Sequence, residues 1–256
     1  MSVSEVMMIE DNLKQKLRYI ASKHHSMKVF DFNGVSIVDS KLSSDTFNTA
    51  FGGKIDAQTA KEVFLYFKNI PMAWWVGPSS DTDDARIALR KSGFVHEEVD
   101  IGMVCDLTKF SKDYEIPSTF KIRKCRTLQD YKDFGDVLSS GFDPVDEQVK
   151  IFYQNMAILS SDETEDMILY VGYENNDPVS CSSLFLTDVA GIYDVVTRSD
   201  KRRLGYGSAI FYQTLLEAQA RNYSKAVLQA SPDGLNLYKS FGFVELCQFN
   251  VWSNKQ

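Results

Sequence analysis

The chain has 256 residues, 44% apolar and 25% charged, which is core material for about two ordinary domains. Its formal net charge of −7 excludes an extended nucleic-acid interface as the main task, because phosphate backbones demand a basic face. Three histidines and four cysteines with no C-x-x-C spacing exclude a patterned zinc site, so no metal is expected and the thiols read as reduced core residues.

The first predicted element is a helix from Val3 to Ser22, where apolar positions recur at helical spacing. Its acidic start carries no cationic region followed by an apolar core, and no apolar run reaches membrane-spanning length, so a cytoplasmic protein is expected. Lys28–Val38 is rich in strand formers around Asn33-Gly34, the pair that a two-residue hairpin turn demands. Ala57–Asn69 follows as a helix, and Met72–Val76 as a short buried strand that contains Trp74 and Trp75. Those two tryptophans read as strand aromatics of the core, with a cleft lining as the alternative. Asp81, Asp83 and Asp84 suit the start of a helix that runs to Ser92 and stops at Gly93, ahead of a strand over Glu97–Leu107.

From Thr108 to Thr119 the hydrophobic pattern lapses, which places a boundary between units 1–115 and 116–256. The second unit reads as a strand at Phe120–Arg123, then helices at Leu128–Ser139 and Glu147–Leu159. Strands at Met167–Gly172 and Pro178–Leu186 flank an Asn175-Asn176-Asp177 turn, and Ile192–Val196 forms a third. Ile210, Phe211, Thr214, Leu215 and Ala218 share a helix face. Ala226–Ala230, Leu235–Ser240 and Phe243–Trp252 close the chain as strand, helix and strand.

The most informative segment joins Ile192–Val196 to that helix: Arg202-Arg203-Leu204-Gly205-Tyr206-Gly207-Ser208. Glycines let the backbone turn tightly against a ligand. First-turn N–H groups and the positive end of the helix dipole face an anion there, and the arginines add charge-assisted donors. A pyrophosphate-bearing ligand fits. A dinucleotide fingerprint would need glycine at Ile210, and a P-loop would need Gly-Lys-Ser/Thr.

This Arg-x-x-Gly-x-Gly segment, followed by Leu237-Tyr238-Lys239-Ser240-Phe241-Gly242-Phe243, resembles the two signature motifs of the GNAT superfamily of N-acetyltransferases. The resemblance covers about Phe120–Trp252. It reaches the first half through an echo: Trp75–Asp81 and Ala88–Val95 look like Leu228–Asp233 and Leu237–Val244. The fold implied is α+β, two tandem GNAT-like domains, each a mixed, mostly antiparallel sheet flanked by helices. The first lacks the cofactor motif: Phe51-Gly52-Gly53-Lys54 shows no strand ahead of it, and Leu89 stands where Tyr238 would. That half is expected to shape a substrate cleft or to steady the active half.

By resemblance, backbone groups of Val195, Val196 and Thr197 would hydrogen-bond the pantetheine arm of acetyl-CoA. Arg202, Arg203, Leu204, Gly205, Tyr206, Gly207 and Ser208 would hold its pyrophosphate. Tyr238 would be the general acid that protonates the departing sulfur, its alternative being a tyrosine packed on a helix face. The reaction implied is direct acyl transfer, most simply acetyl, to a primary amine in a ternary complex without an acyl-enzyme. The family's glutamate position on the strand is Gly191 here. The base is therefore open among Asp194, the nearest carboxylate, the weaker Asp188 and Glu245, and water. The acceptor would be a small-molecule or peptide amine, and longer acyl or aminoacyl donors remain open. The other class of function is an acyl-CoA-binding sensor without turnover. Neither nucleic acid nor membrane is expected as a partner, and the oligomeric state is left open.

Overall fold

The computed structural model describes residues 3–159 and 166–255, and these fall into two units. Unit 1 is built from the chain up to Gly102 together with Gln229–Leu235 and the chain from Glu245 onward. Unit 2 is built from Met103–Leu228 and Asn236–Val244.

In unit 1, α1 (Val3–Lys23) precedes the hairpin β1 (Lys28–Phe32) and β2 (Val35–Asp39). Asn33 and Gly34 both take positive φ, 50° and 78°, as a two-residue turn matched to strand twist requires. β3 (Thr49–Phe51), α2 (Ala57–Tyr66), β4 (Ala73–Val76), α3 (Asp83–Ser92) and β5 (Val95–Asp106) follow. The strand Thr49–Phe51 corrects the expectation that Phe51-Gly52 has none before it. Three residues are too short for periodicity to reveal, and pairing with β2 and β4 supplies the order that local pattern lacks. Thr82 caps α3 by accepting from Ala85 N–H, and Gly93 at φ 103° ends it in the left-handed conformation. The strand order is β1-β2-β3-β4-β11-β5, where β11 is Val244–Ser253 and pairs antiparallel with β4, Trp252 opposite Trp74. Trp74 is fully buried, edge-on to Phe94 at 5.5 Å, so both it and Trp252 belong to the core.

In unit 2, β6 (Phe120–Lys124) leads into α4 (Leu128–Ser139), which opens with a reciprocal Thr127–Asp130 capping box, and then α5 (Glu147–Leu159). The hairpin β7 (Met167–Glu174) and β8 (Asp177–Leu186) turns through Asn175 and Asn176, again both at positive φ. β9 (Ala190–Thr197), α6 (Tyr206–Ala220), β10 (Lys225–Ala230) and α7 (Leu235–Ser240) complete the elements. Here the order is β5-β10-β9-β8-β7-β6, with β9 and β10 parallel and β6 to β9 antiparallel. β5 starts in unit 1 and supplies Met103–Asp106 to unit 2. Hairpin, strand, helix, parallel strand, helix, strand thus occurs twice in chain order, as the echo predicts, on an α+β plan.

Candidate functional site

β9 and β10 pair only at Ala190↔Ala226 and Gly191↔Val227. Beyond that point β9 runs on to Thr197 and, among the described residues, pairs with no strand on its β10 side. Val195, Val196 and Thr197 are half-buried residues on the strand expected to bind an extended ligand arm.

The same strand carries a bulge. Cys181 pairs with Val196 and Ser183 with Tyr193, so Asp194 and Val195 oppose one residue of β8. Asp194 sits at φ 56°, which an L-residue adopts only where its surroundings hold it. They do: Asp194 Oδ2 accepts from Tyr153 Oη at 2.9 Å and from Ser183 Oγ at 2.7 Å, and its carbonyl accepts from Cys181 Sγ at 3.2 Å. Burial and then the Asp194 charge hold the Tyr153 phenol protonated, so it stays a donor. Tyr153 and Ser183 are partners that local sequence did not single out. Tyr153 lies on the inner face of α5, 41 residues from Asp194 in sequence, and no short-range pattern links them.

After β9 the chain makes a short 3-10 turn at Ser199–Lys201, and Arg202 is extended. Arg203 takes φ 63° and Gly205 φ 84°. Alternating left-handed residues aim successive N–H groups into one concavity, an anion nest. Gly205 is the N-cap of α6 and no side chain caps the helix, so the first-turn N–H groups of Tyr206, Gly207 and Ser208 are not taken by a cap. A Cβ at Gly207 would lie 3.0 Å from Thr197 Oγ1, so glycine is what lets the helix start meet the strand end.

The cations of this segment divide into two groups. Arg198 is held by Asp200 and Asp177, with Nη1 of the guanidinium 2.8 Å from Asp177 Oδ1. Lys201 Nζ sits 2.5 Å from Glu174. These pairs brace the loop, and hydrogen bonds from Lys201 and then Tyr206 hold Glu174 below its usual pKa. Arg202 and Arg203 are exposed, Arg202 donates only through Nε to Thr197 O at 3.3 Å, and neither forms an ion pair among the described residues. The Tyr206 side chain faces inward, stacked on Phe120 at 4.6 Å and bonded to Glu174, so only its backbone is available to a ligand. Leu204 is half exposed at the rim.

The segment between Thr108 and Thr119 is more than a spacer. Tyr114 Oη donates to Gly205 O at 3.0 Å, Lys112 Nζ to Ser240 O, and Gln219 Nε2 to the carbonyls of Leu107 and Phe110. Phe110 and Tyr114 lie against Tyr212 and Phe241. The aromatic residues four apart in a polar stretch are the signal that could have revealed this strap.

Tyr238 lies on α7, buried, with its ring 5.0 Å from Phe211 of α6. Packing and chemistry are compatible in a phenol whose ring is fixed. Burial pushes all four thiols up, Cys105 and Cys247 to about 11 and Cys125 and Cys181 well above the usual value, so none is a thiolate nucleophile at neutral pH. Gly191 is buried within the paired part of β9, while Asp188 lies before that strand and Glu245 near the start of β11.

Residues 132–243 match the model of the acetyltransferase (GNAT) family. No curated protein matches the chain. Among solved structures, the chain is similar to a GCN5-related N-acetyltransferase from Kribbella flavida, at 12% identity over 97% of this chain and 96% of that one, with a TM-score of 0.70. It is similar to a functionally unknown conserved protein from Staphylococcus epidermidis, at 16% identity over 88% and 92%, with a TM-score of 0.63. A tandem GNAT protein from the clavulanic acid biosynthesis pathway shares 7% identity over 96% and 94%, with a TM-score of 0.59. At such identities the likeness is one of fold.

Proposed function

We propose that this chain, which carries a GNAT-family acetyltransferase domain at residues 132–243, is an acyl-CoA-dependent N-acyltransferase that moves an acetyl group to a primary amine. The observation that carries the proposal is the open start of α6: a helix whose N-cap is Gly205, a nest at Arg203 and Gly205, and two arginines beside it that form no ion pair among the described residues. Nothing in that arrangement serves the fold better than an ordinary Ser or Asp cap would.

Acetyl-CoA, when bound, supplies the activated acyl group. The N–H groups of Arg203 to Ser208, with Arg202 and Arg203, would hold its pyrophosphate. Val195, Val196 and Thr197 would pair with the pantetheine arm as an added strand would. Asp194, directly or through a water, would take a proton from the acceptor ammonium so that its nitrogen can attack the acyl carbon. Tyr238 would give its proton to the sulfur as the C–S bond breaks. The nitrogen releases its second proton to solvent as the amide forms, CoA leaves as the thiol, Asp194 passes its proton to solvent and Tyr238 regains one from solvent. The halves 1–115 and 116–256 act as tandem copies in this proposal, the second carrying the chemistry.

The test is calorimetric titration of acetyl-CoA. Arg203→Glu is expected to weaken binding by roughly 10- to 100-fold, the worth of one charge-assisted contact, before counting repulsion. Unchanged affinity would overturn the assignment of the cradle.

A second reading, an acyl-CoA sensor without turnover, draws on Gly191 standing at the glutamate position and on Asp194 already accepting two hydroxyl hydrogen bonds. CoA release with any of a panel of primary amines, lowered in Tyr238→Phe, excludes it.

A further inference from the structure

Unit 1 contains a cavity of about 540 Å³ between the start of α1 and the ends of β3 and β4, a volume within the range of small-molecule sites. Val6, Met7, Glu10, Phe51, Gly53 and Ser79 are among the residues that line it. Glu10 is only 6% exposed. Its Oε1 accepts from Ser79 N at 3.0 Å and Ser79 Oγ at 2.8 Å, which fixes the carboxylate against the end of β4. Gly77 is required there, since a Cβ would lie 2.4 Å from Oε1. Glu10 Oε2 has no hydrogen-bond partner, and no Lys or Arg pairs with Glu10, among the described residues. Asp11 and Lys14, which also line the cavity, offset one another in charge. A carboxylate so little exposed, with one oxygen unbonded and lining the cavity, favours a cationic partner.

A second cavity, of about 860 Å³, shares Gly53 and Ser79 with the first and is lined by the start of α2 and by α3. This side does not suit an anion. Asp56 caps α2 by accepting from Thr59 N–H at 2.9 Å, and those bonds hold its carboxylate below the usual pKa, so a negative charge already occupies the helix start. The equivalent helix in unit 2 has Gly205 there and no capping side chain.

We propose that the Glu10 cavity binds a primary amine, with the ammonium on Glu10 Oε2 and an apolar body against Val6, Met7 and Phe51. Unit 1 would thus retain an amine site and lack the acyl-donor site, so the amine is bound there and not acylated. The proposal rests on unit 1 alone and is separable from the roles of Arg203 and Tyr238.

The experiment titrates the full chain with phenethylamine and with its neutral counterpart 2-phenylethanol, followed by ligand-observed NMR. Wild type is expected to bind the amine at least about tenfold more tightly than the alcohol, as a charge-assisted contact requires. Glu10→Gln should lose that preference. Should Glu10→Gln fail to fold by circular dichroism, Val6→Trp, which places an indole in the cavity lining, is expected to weaken amine binding to a similar extent. Equal affinity for alcohol and amine, undiminished binding in Glu10→Gln, or undiminished binding in Val6→Trp would each overturn the proposal.

Discussion

Arg198, Lys201, Arg202 and Arg203 lie within six positions and have identical formal charge, yet their neighbours give them different work. Asp177, Asp200 and Glu174 take up the first two, and the last two form no ion pair among the described residues, which leaves them to the proposed acyl-donor site. Tyr238 and Asp194 divide in the same way by what they would touch. Tyr238→Phe removes a proton donor and leaves the ring packing on Phe211, so turnover should fall on the order of 100-fold with acetyl-CoA affinity unchanged. Asp194→Asn should lower the rate, again without loss of donor affinity. Steady-state kinetics on several amines, paired with calorimetry, checks both. A parallel loss of acetyl-CoA binding would show that the substitutions disturb the cradle instead.

At the scale of elements, β5 carries the clearest liability. Asp100 is 7% exposed, its Oδ1 lacks a hydrogen-bond partner, and burial followed by the charge of Glu98 pushes its pKa to about 7. The unfolded chain releases this proton near pH 4 and the native state only near pH 7, so stability falls as pH rises through that window. The penalty is absent below about pH 4 and complete above about pH 7, with a few kcal/mol as its upper bound. Asp100→Asn should therefore raise the melting temperature at pH 8 and leave it nearly unchanged at pH 4, which thermal scans at the two pH values measure. An equal gain at both would mean that the carboxyl group stays ionised in the fold. The two helix starts behave as a matched pair of opposites. α2 satisfies its own N–H groups through Asp56, whereas α6 leaves them open, and that difference follows from single residues at the same point of a repeated plan.

For the whole molecule, the last strand settles how the chain can be divided. β11 carries Phe249, Val251 and Trp252, all at most 5% exposed, and it pairs with β4 of unit 1. A fragment beginning near Ser118 would keep β11 and lose β4, exposing side chains whose burial is worth roughly 1.5–3 kcal/mol each. It is expected to be insoluble or to lose cooperative thermal unfolding, together with amine acetylation. A soluble fragment of full activity would show that the first half is dispensable. Among the described residues no helix is long and apolar enough to cross a membrane.

Much of this was legible along the chain. Hairpin turns at Asn33-Gly34 and Asn175-Asn176, the helices 128–139, 147–159 and 235–240, and the glycine segment before α6 are dictated by residues within one or two turns of each other, and local backbone preference decides them. What lay beyond local pattern depends on groups far apart in sequence. The three-residue β3 exists only through its neighbours in the sheet. Asp194 is held by Tyr153 and Ser183 across a bulge, and Tyr114 reaches the cradle from a stretch without periodicity. Glu10 Oε1 lies against Gly77, 67 residues on in sequence, where a Cβ would stand 2.4 Å from it. Sequence alone determined the family plan and the glycine-rich start of α6 proposed as an anion cradle, since both are written in short-range spacing. Tertiary structure decided which charges remain available and which half owns the final strand, because burial and pairing are properties of three-dimensional neighbours.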